Sequence, residues 1–195
     1  MYVTNSFSQP IKIVYYTYPL CQISWGMQES WRRLVKTYGD RISFQFCLAR
    51  ENDKSSDVEL SSYSACLAVK AAGLQSPTAA DLFLNKLREA AMEEKRDISR
   101  VDVLVEVARE VNKQHRGLLD LHRFGKDFDA KATRQALHAD LEKMDRNRID
   151  SFPTITMTLA GKGLKLAGHS SYQRLTTALH KLLGASDSTS QVSYG

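Results

Sequence analysis

A chain of 195 residues, 43% of them hydrophobic and 25% charged, can bury a full core as one domain or as a domain with an insertion, which excludes a disordered chain. No apolar run reaches the ~18 residues of a membrane-spanning helix, and Met1 to Pro10 has neither the basic start nor the apolar stretch of a secretory signal, so a cytoplasmic location is expected. The net charge of +5 does not point to nucleic acid: Arg32, Arg33 and Lys36 share the outer face of one helical pattern, basic and acidic residues alternate in Glu93-Glu94-Lys95-Arg96-Asp97, and no basic stripe is interleaved with aromatics.

In chain order, Ile11 to Thr17 is a β-branched and aromatic run suited to a buried strand. From Ser24 the period lengthens: Met27, Trp31, Leu34, Val35 and Tyr38 recur at helical spacing, and Gly39 stands where a C-terminal cap belongs. Ile42 to Ala49 returns as strand and completes a β-α-β unit with a right-handed crossover. The polar stretch Arg50 to Asp57 leads away from the sheet into a region of helical period. A helix over Ser62 to Ala72 ends at Gly73, Ser76-Pro77 opens a second, Ser99 caps a third, a short one holds Leu118 to His122, and the last runs from about Asp129 to Arg148. Strand Thr154 to Ala160, the turn Gly161-Lys162-Gly163 and strand Leu164 to Ala167 read as a hairpin. Ser170 or Ser171 then caps a final helix carrying Tyr172, Leu175, Leu179 and Leu182, and from Ala185 small polar residues predict an unpacked tail.

Cys21 is the most reactive candidate, because it stands between the first strand and the first helix, where backbone N–H groups and the helix dipole favour a thiolate. Three cysteines, an odd count, argue for reduced thiols rather than a disulfide framework. Cys47 and Cys66 lie in apolar stretches and read as small buried hydrophobes, with a resolving-thiol role for either as the minor alternative. Ser24, three residues after Cys21, can hydrogen-bond the sulfur or cap the helix but cannot close a disulfide. Pro153 opens the alternating strand that follows, the place for a special turn. His122, His138 and His169 are not at metal-ligand spacing and read as surface or capping residues, with His169 alone in reach of a groove rim; no metal is expected.

The segments Tyr15-Tyr16-Thr17-Tyr18-Pro19-Leu20-Cys21-Gln22-Ile23-Ser24-Trp25, Ala68-Val69-Lys70-Ala71-Ala72-Gly73-Leu74-Gln75, Arg96-Asp97-Ile98-Ser99 and Ser151-Phe152-Pro153-Thr154 resemble the DsbA family of the thioredoxin superfamily. The resemblance implies an α/β, thioredoxin-like fold with an all-helical insertion: residues 1–55 and 151–184 form the core, 56–150 the insertion and 185–195 a flexible tail. It also implies a cis Phe152-Pro153 bond beside the reactive cysteine. Cys21 and Ser24 would be catalytic, and Gln22, Ile23, Trp25, Phe152 and Pro153 would bind substrate. The chain departs from the Cys-Xaa-Xaa-Cys pair, so the leading expectation is a thiol-disulfide oxidoreductase acting through one cysteine. Its substrate would be a protein or glutathione thiol or disulfide, with glutathione as co-substrate and no tightly held cofactor. Two alternatives stand beside it: a kappa-type glutathione transferase or isomerase, and a redox-inactive adaptor that presents proteins to a protease.

Overall fold

Alternation of apolar and polar residues in β1 (Ile11–Thr17) puts Ile11, Ile13 and Tyr15 on one buried face, and this strand is the centre of the sheet. The computed structural model describes residues 9–49 and 56–190, with side chains over 9–49 and 63–184. β1 pairs in parallel with β2 (Ile42–Leu48) and antiparallel with β3 (Thr154–Leu159), which pairs in turn with β4 (Lys162–Ala167), giving the order β2-β1-β3-β4. One sheet face is covered by α2 (Gln28–Tyr38) and α8 (Tyr172–Ser190), whose Trp31, Leu34, Leu175, Leu179 and Leu182 join Ile13, Tyr15 and Met157 in the main core. The helices α3 (Ser56–Gly73), α4 (Pro77–Met92), α5 (Val101–Gln114), α6 (Leu121–Phe128) and α7 (Lys131–Arg146) stand between β2 and β3 in sequence. Tyr16 and Cys47 meet Met144 of α7 on the opposite sheet face.

The fold is thus thioredoxin-like with inserted helices, and several local expectations shift. The first helix is broken: α1 (Gln22–Gly26) ends at Met27, whose side chain is fully buried, before α2 begins. A glycine at position 26 weakens helix continuity there. Gly39 does not cap in the left-handed region but continues at φ −49° into a 3-10 turn over Gly39–Arg41. Ser76 accepts the Ala79 N–H as an N-cap, as its sequence predicts, whereas Ser99 donates to Asp97 and Arg100 takes the cap position of α5. The short helix lies later than expected, at 121–128, because Asp120 accepts the Arg123 N–H and starts it. In the β3–β4 hairpin the two-residue connection is Ala160-Gly161, both at positive φ, so β4 starts at Lys162 instead of Leu164. α3 begins at Ser56, inside the stretch read as polar connection, and α8 runs to Ser190, beyond the expected end of packing at Ala185. Residues 1–8, 50–55 and 191–195, on which parts of the leader, linker and tail expectations fall, lie outside the described residues. Among the described residues no helix is long and apolar enough to cross a membrane.

Candidate functional site

β1 delivers Thr17 to the sheet's C-terminal end, and the turn Tyr18-Pro19-Leu20 carries the chain to Cys21, which occupies the N-cap position of α1 with extended backbone. The Cys21 N–H donates to the Tyr18 carbonyl at 3.2 Å, and the Cys21 carbonyl accepts from the Trp25 N–H at 3.0 Å. Tyr16 of β1 faces Thr154 of β3; continuing that antiparallel register by one residue sets Pro153 opposite Thr17, four residues before the cysteine. The Phe152-Pro153 bond is cis, as the resemblance implies, and the Phe152 ring packs edge-on against Tyr18 with centroids 5.9 Å apart. The two sequence features that singled out this region therefore meet at one end of the sheet. Gln22 and Ile23 are exposed on its rim, Ile23 at 47%, while Trp25 is half-buried and turns to a separate hollow with Gln28, Glu29, Arg32, Glu89 and Glu93.

Two details differ from the expected nucleophile site. The Cys21 side chain is only 1% exposed. Ser24, fully buried, neither caps α1 nor engages the sulfur; its hydroxyl lies 2.7 Å from Thr17 Oγ1. The reason is a residue that sequence reading passed over. Arg88 of α4 is buried, and its Nη2 donates to Thr17 Oγ1 at 2.7 Å and to the Tyr18 carbonyl at 3.3 Å, while its Nε donates to the Pro19 carbonyl at 3.3 Å. One guanidinium from the helical insertion thus holds the whole approach to Cys21, and Ser24 completes the network. Burial pulls the Arg88 pKa down, opposed by Tyr15, Cys21 and Asp81 around it, and a guanidinium stays charged under such a shift. Burial likewise raises the Tyr15 phenol pKa, against the charge of Arg88. Only the spacing of Arg88 among the apolar positions Leu84, Leu87 and Ala91 of α4 could have flagged it, as a charge falling on an inward helix face.

Asp81, one to two turns earlier in α4, accepts the Trp31 indole N–H at 2.8 Å and the Asn85 amide at 3.4 Å. Burial is the largest influence on its carboxyl and pushes it up from 3.8 to about 6, overcoming the hydrogen bond from Trp31 and the charge of Arg88. A carboxyl with a raised folded-state pKa gives stability that is complete below the unfolded value near 4 and is lost as pH rises through about 6. Wild-type stability relative to Asp81→Asn should therefore fall by ~2 kcal/mol between pH 4 and 7, measured by urea unfolding at each pH. Parallel pH profiles for the two proteins would contradict the assignment.

The other thiols are occupied elsewhere. Cys47 Sγ donates to the Asp140 carbonyl at 3.4 Å, and burial, with Asp140 next, pushes its thiol up to about 12. Cys66 Sγ donates to the Ala49 carbonyl at 3.5 Å. Both are buried, as expected of small hydrophobes. Beside Cys47, Lys70 pairs with Asp140, which also accepts the Leu48 N–H at 2.8 Å; burial still raises the Asp140 carboxyl, outweighing Lys70. His122, His138 and His169 are exposed; His138 faces Glu142, and the His169 carbonyl accepts from Arg174. Among the described residues no group of three or more His, Cys, Asp or Glu is arranged to hold a metal.

A family model described as Thioredoxin matches residues 50–177, most of the chain but not β1 or Cys21. The ClpXP adapter protein SpxH of Halalkalibacterium halodurans is 31% identical over 157 residues, 79% of this chain and 47% of that protein, so the chain spans about half the length of this relative. Among solved structures, alpha-DsbA1 of Wolbachia pipientis superposes with a TM-score of 0.70 at 14% identity, covering 93% of this chain and 90% of that one. The cytosolic disulfide reductase DsbM of Pseudomonas aeruginosa gives a TM-score of 0.62 at 18% identity, covering 80% and 88%. At such identities these likenesses speak for the fold alone. Strand order, the cis proline beside the β1 turn, inserted helices and the matched family model agree, and the chain belongs to the thioredoxin family, with the DsbA-like form of its fold.

Proposed function

We propose that this chain is a protein-binding adaptor that brings a protein substrate to a ClpXP-type protease, and that the Cys21 end of the sheet serves as a binding surface and not as a redox centre. The observation that carries this reading is the buried, solitary Cys21 sulfur, with a serine tied to Thr17 where a resolving thiol would stand and with Cys47 and Cys66 bonded to distant carbonyls. A mixed disulfide formed there has no internal thiol to release it. The adapter name of the curated relative supports the same reading. Exposed Gln22 and Ile23, with half-buried Phe152, would contact the bound protein, and buried Cys21, Ser24 and Pro153 would shape the floor beneath them, while Trp25, expected among the contacts, turns to the separate hollow. In the host cell, deleting this protein should lengthen the half-lives of a subset of the proteins that loss of ClpX also stabilises, and Cys21→Ala should restore their turnover. Rescue by wild type but by neither Cys21→Ala nor the near-isosteric Cys21→Ser would overturn the redox-inactive reading.

One observation favours the second reading, single-thiol exchange: Cys21 occupies the N-cap position of α1, without a side-chain capping bond, and has the Arg88 charge among its neighbours. Here the Cys21 thiolate would attack glutathione disulfide, forming one S–S bond as the original breaks and glutathione thiolate leaves, and an outside thiol would reverse it. Incubation with oxidised glutathione followed by mass measurement separates the two. The adaptor reading expects unmodified native protein, and a stable glutathionyl adduct mapped to Cys21 favours exchange.

A further inference from the structure

Register and burial together show a half of the sheet that no described element covers. On the face opposite the main core, three rows of side chains run across the four strands: Ser43, Lys12, Thr158 and Gly163; then Gln45, Val14, Thr156 and Lys165; then Cys47, Tyr16, Thr154 and Ala167. In the last row Cys47, Tyr16 and Thr154 are buried, roofed by Met144 of α7. The first two rows are open: Ser43, Lys12, Thr158, Gly163, Gln45 and Lys165 are exposed, and Val14 and Thr156 half-buried. All-parallel sheets are ordinarily covered on both faces, whereas antiparallel pairing, as between β1 and β3 and between β3 and β4, leaves room for an open one. Here the inserted helices cover only one end.

The opening is a trough of two adjoining hollows, ≈ 360 and ≈ 460 Å³, which share Val14 and Thr158. α7 walls it, contributing Lys143, with Asn147 just past its end donating to Tyr16 Oη at 2.8 Å. Lys165 reaches the Arg148 carbonyl from the far strand. Lys12, Lys143 and Lys165 thus surround a mixed floor in which Ser43, Gln45, Thr156 and Thr158 alternate with Val14, Phe44 and Leu164, and among the described residues no carboxylate lines either hollow. Successive rows are ~7 Å apart, so two open rows beside α7 offer the width one more helix needs at the usual ~8–10 Å interaxial spacing.

We infer that this trough docks an acidic helical segment of a protein partner, alongside α7. The inference rests on the adaptor reading for its partner being a protein, and names the chemistry of the docked part. Carboxylates on that helix would meet Lys12, Lys143 and Lys165, and its backbone would span the sheet from β4 towards β2. Nucleic acid is the competing anion, disfavoured because Tyr16 is buried with Met144 of α7 and Phe44 packs edge-on against Trp31, so neither aromatic lining the hollows is presented for stacking.

The probe is a synthetic helix-forming peptide with glutamates along one face, compared with its lysine counterpart and with a single-stranded oligonucleotide. The full chain should bind the acidic peptide, more weakly as salt rises, and binding should protect Lys12, Lys143 and Lys165 from acetylation. Lys12→Glu, Lys143→Glu and Lys165→Glu together should weaken binding at least tenfold, while Arg32→Glu, Arg33→Glu and Lys36→Glu on the outer face of α2 should leave it unchanged. Should the triple trough variant fold poorly, acetylation protection in the wild type decides alone. Absent or unprotected binding, equal loss in the α2 variant, or preference for the oligonucleotide overturns the inference. Failure of the adaptor reading looks different: host-protein half-lives unaffected by deletion, with peptide binding intact. If instead the trough variant restores turnover as well as wild type, the adaptor reading stands and the trough falls.

Discussion

Arg88→Ala should destabilise the protein by ~4 kcal/mol, because it orphans the Tyr18 and Pro19 carbonyls and one side of the Thr17 hydroxyl in a site water does not reach, and leaves a cavity the size of the lost side chain. For a chain of this size that is a drop in melting temperature of about 10 °C. The desolvation of the native guanidinium works in the other direction, as it always does for a buried charge, so Arg88→Met, which fills the volume without the charge, should lose roughly half as much. The variant should also expose the sulfur. With the Thr17 to Leu20 turn released, Cys21, 1% exposed in the native state, should alkylate faster at temperatures well below the melting transition. A melting point within about 2 °C of wild type, with unchanged Cys21 alkylation, would show that the guanidinium does not hold this turn.

Trp31→Ala should cost ~5 kcal/mol. The ring is 1% exposed and makes edge contacts with Tyr15, Phe44 and Phe46 at centroid distances of 5.1, 5.4 and 5.9 Å, so truncation empties the centre of the aromatic cluster. It also strips Asp81 of the indole donor. Trp31→Phe separates the two contributions: the cluster is largely refilled, and the loss should shrink to ~1–3 kcal/mol. That smaller loss should be greater at pH 8 than at pH 5, since Asp81 is ionised only above about 6 and a hydrogen bond to a carboxylate is worth more than one to a neutral acid. Chemical denaturation of both variants at the two pH values reads this directly, and a pH-independent cost for Trp31→Phe would remove Asp81 as the indole's functional acceptor.

Much of this arrangement is legible in the amino-acid sequence. The strand of Ile11 to Thr17, the helix of Trp31 and Leu34 and the Ser76-Pro77 start follow from side-chain period and capping chemistry, which act within a few residues and so are written locally. The Cys21 to Ser24 spacing and Pro153 drew attention to the right end of the sheet. What local pattern misread was also local: Gly39 and Ser99 have the chemistry of caps, but neighbouring contacts, the 3-10 turn and Asp97, took those groups instead. The break at Met27 was invisible because Met27 keeps helical spacing while its burial draws the chain inward.

The roles of Ser24, Arg88 and Asp81 could not have been read from the chain. Arg88 lies 71 positions from Thr17 and Asp81 50 from Trp31, and a charge on a helix face is ordinarily solvated unless another element closes over it. Likewise Lys12, Lys143 and Lys165 look like scattered surface charge until strand register and the reach of α7 put them around one trough. The amino-acid sequence by itself determined the elements, their order and the single nucleophile between strand and helix, since periodicity and propensity are properties of neighbouring residues. Only the tertiary structure decided what surrounds that sulfur and which half of the sheet stays open, because burial, desolvation and charge proximity depend on which distant segments are brought into contact.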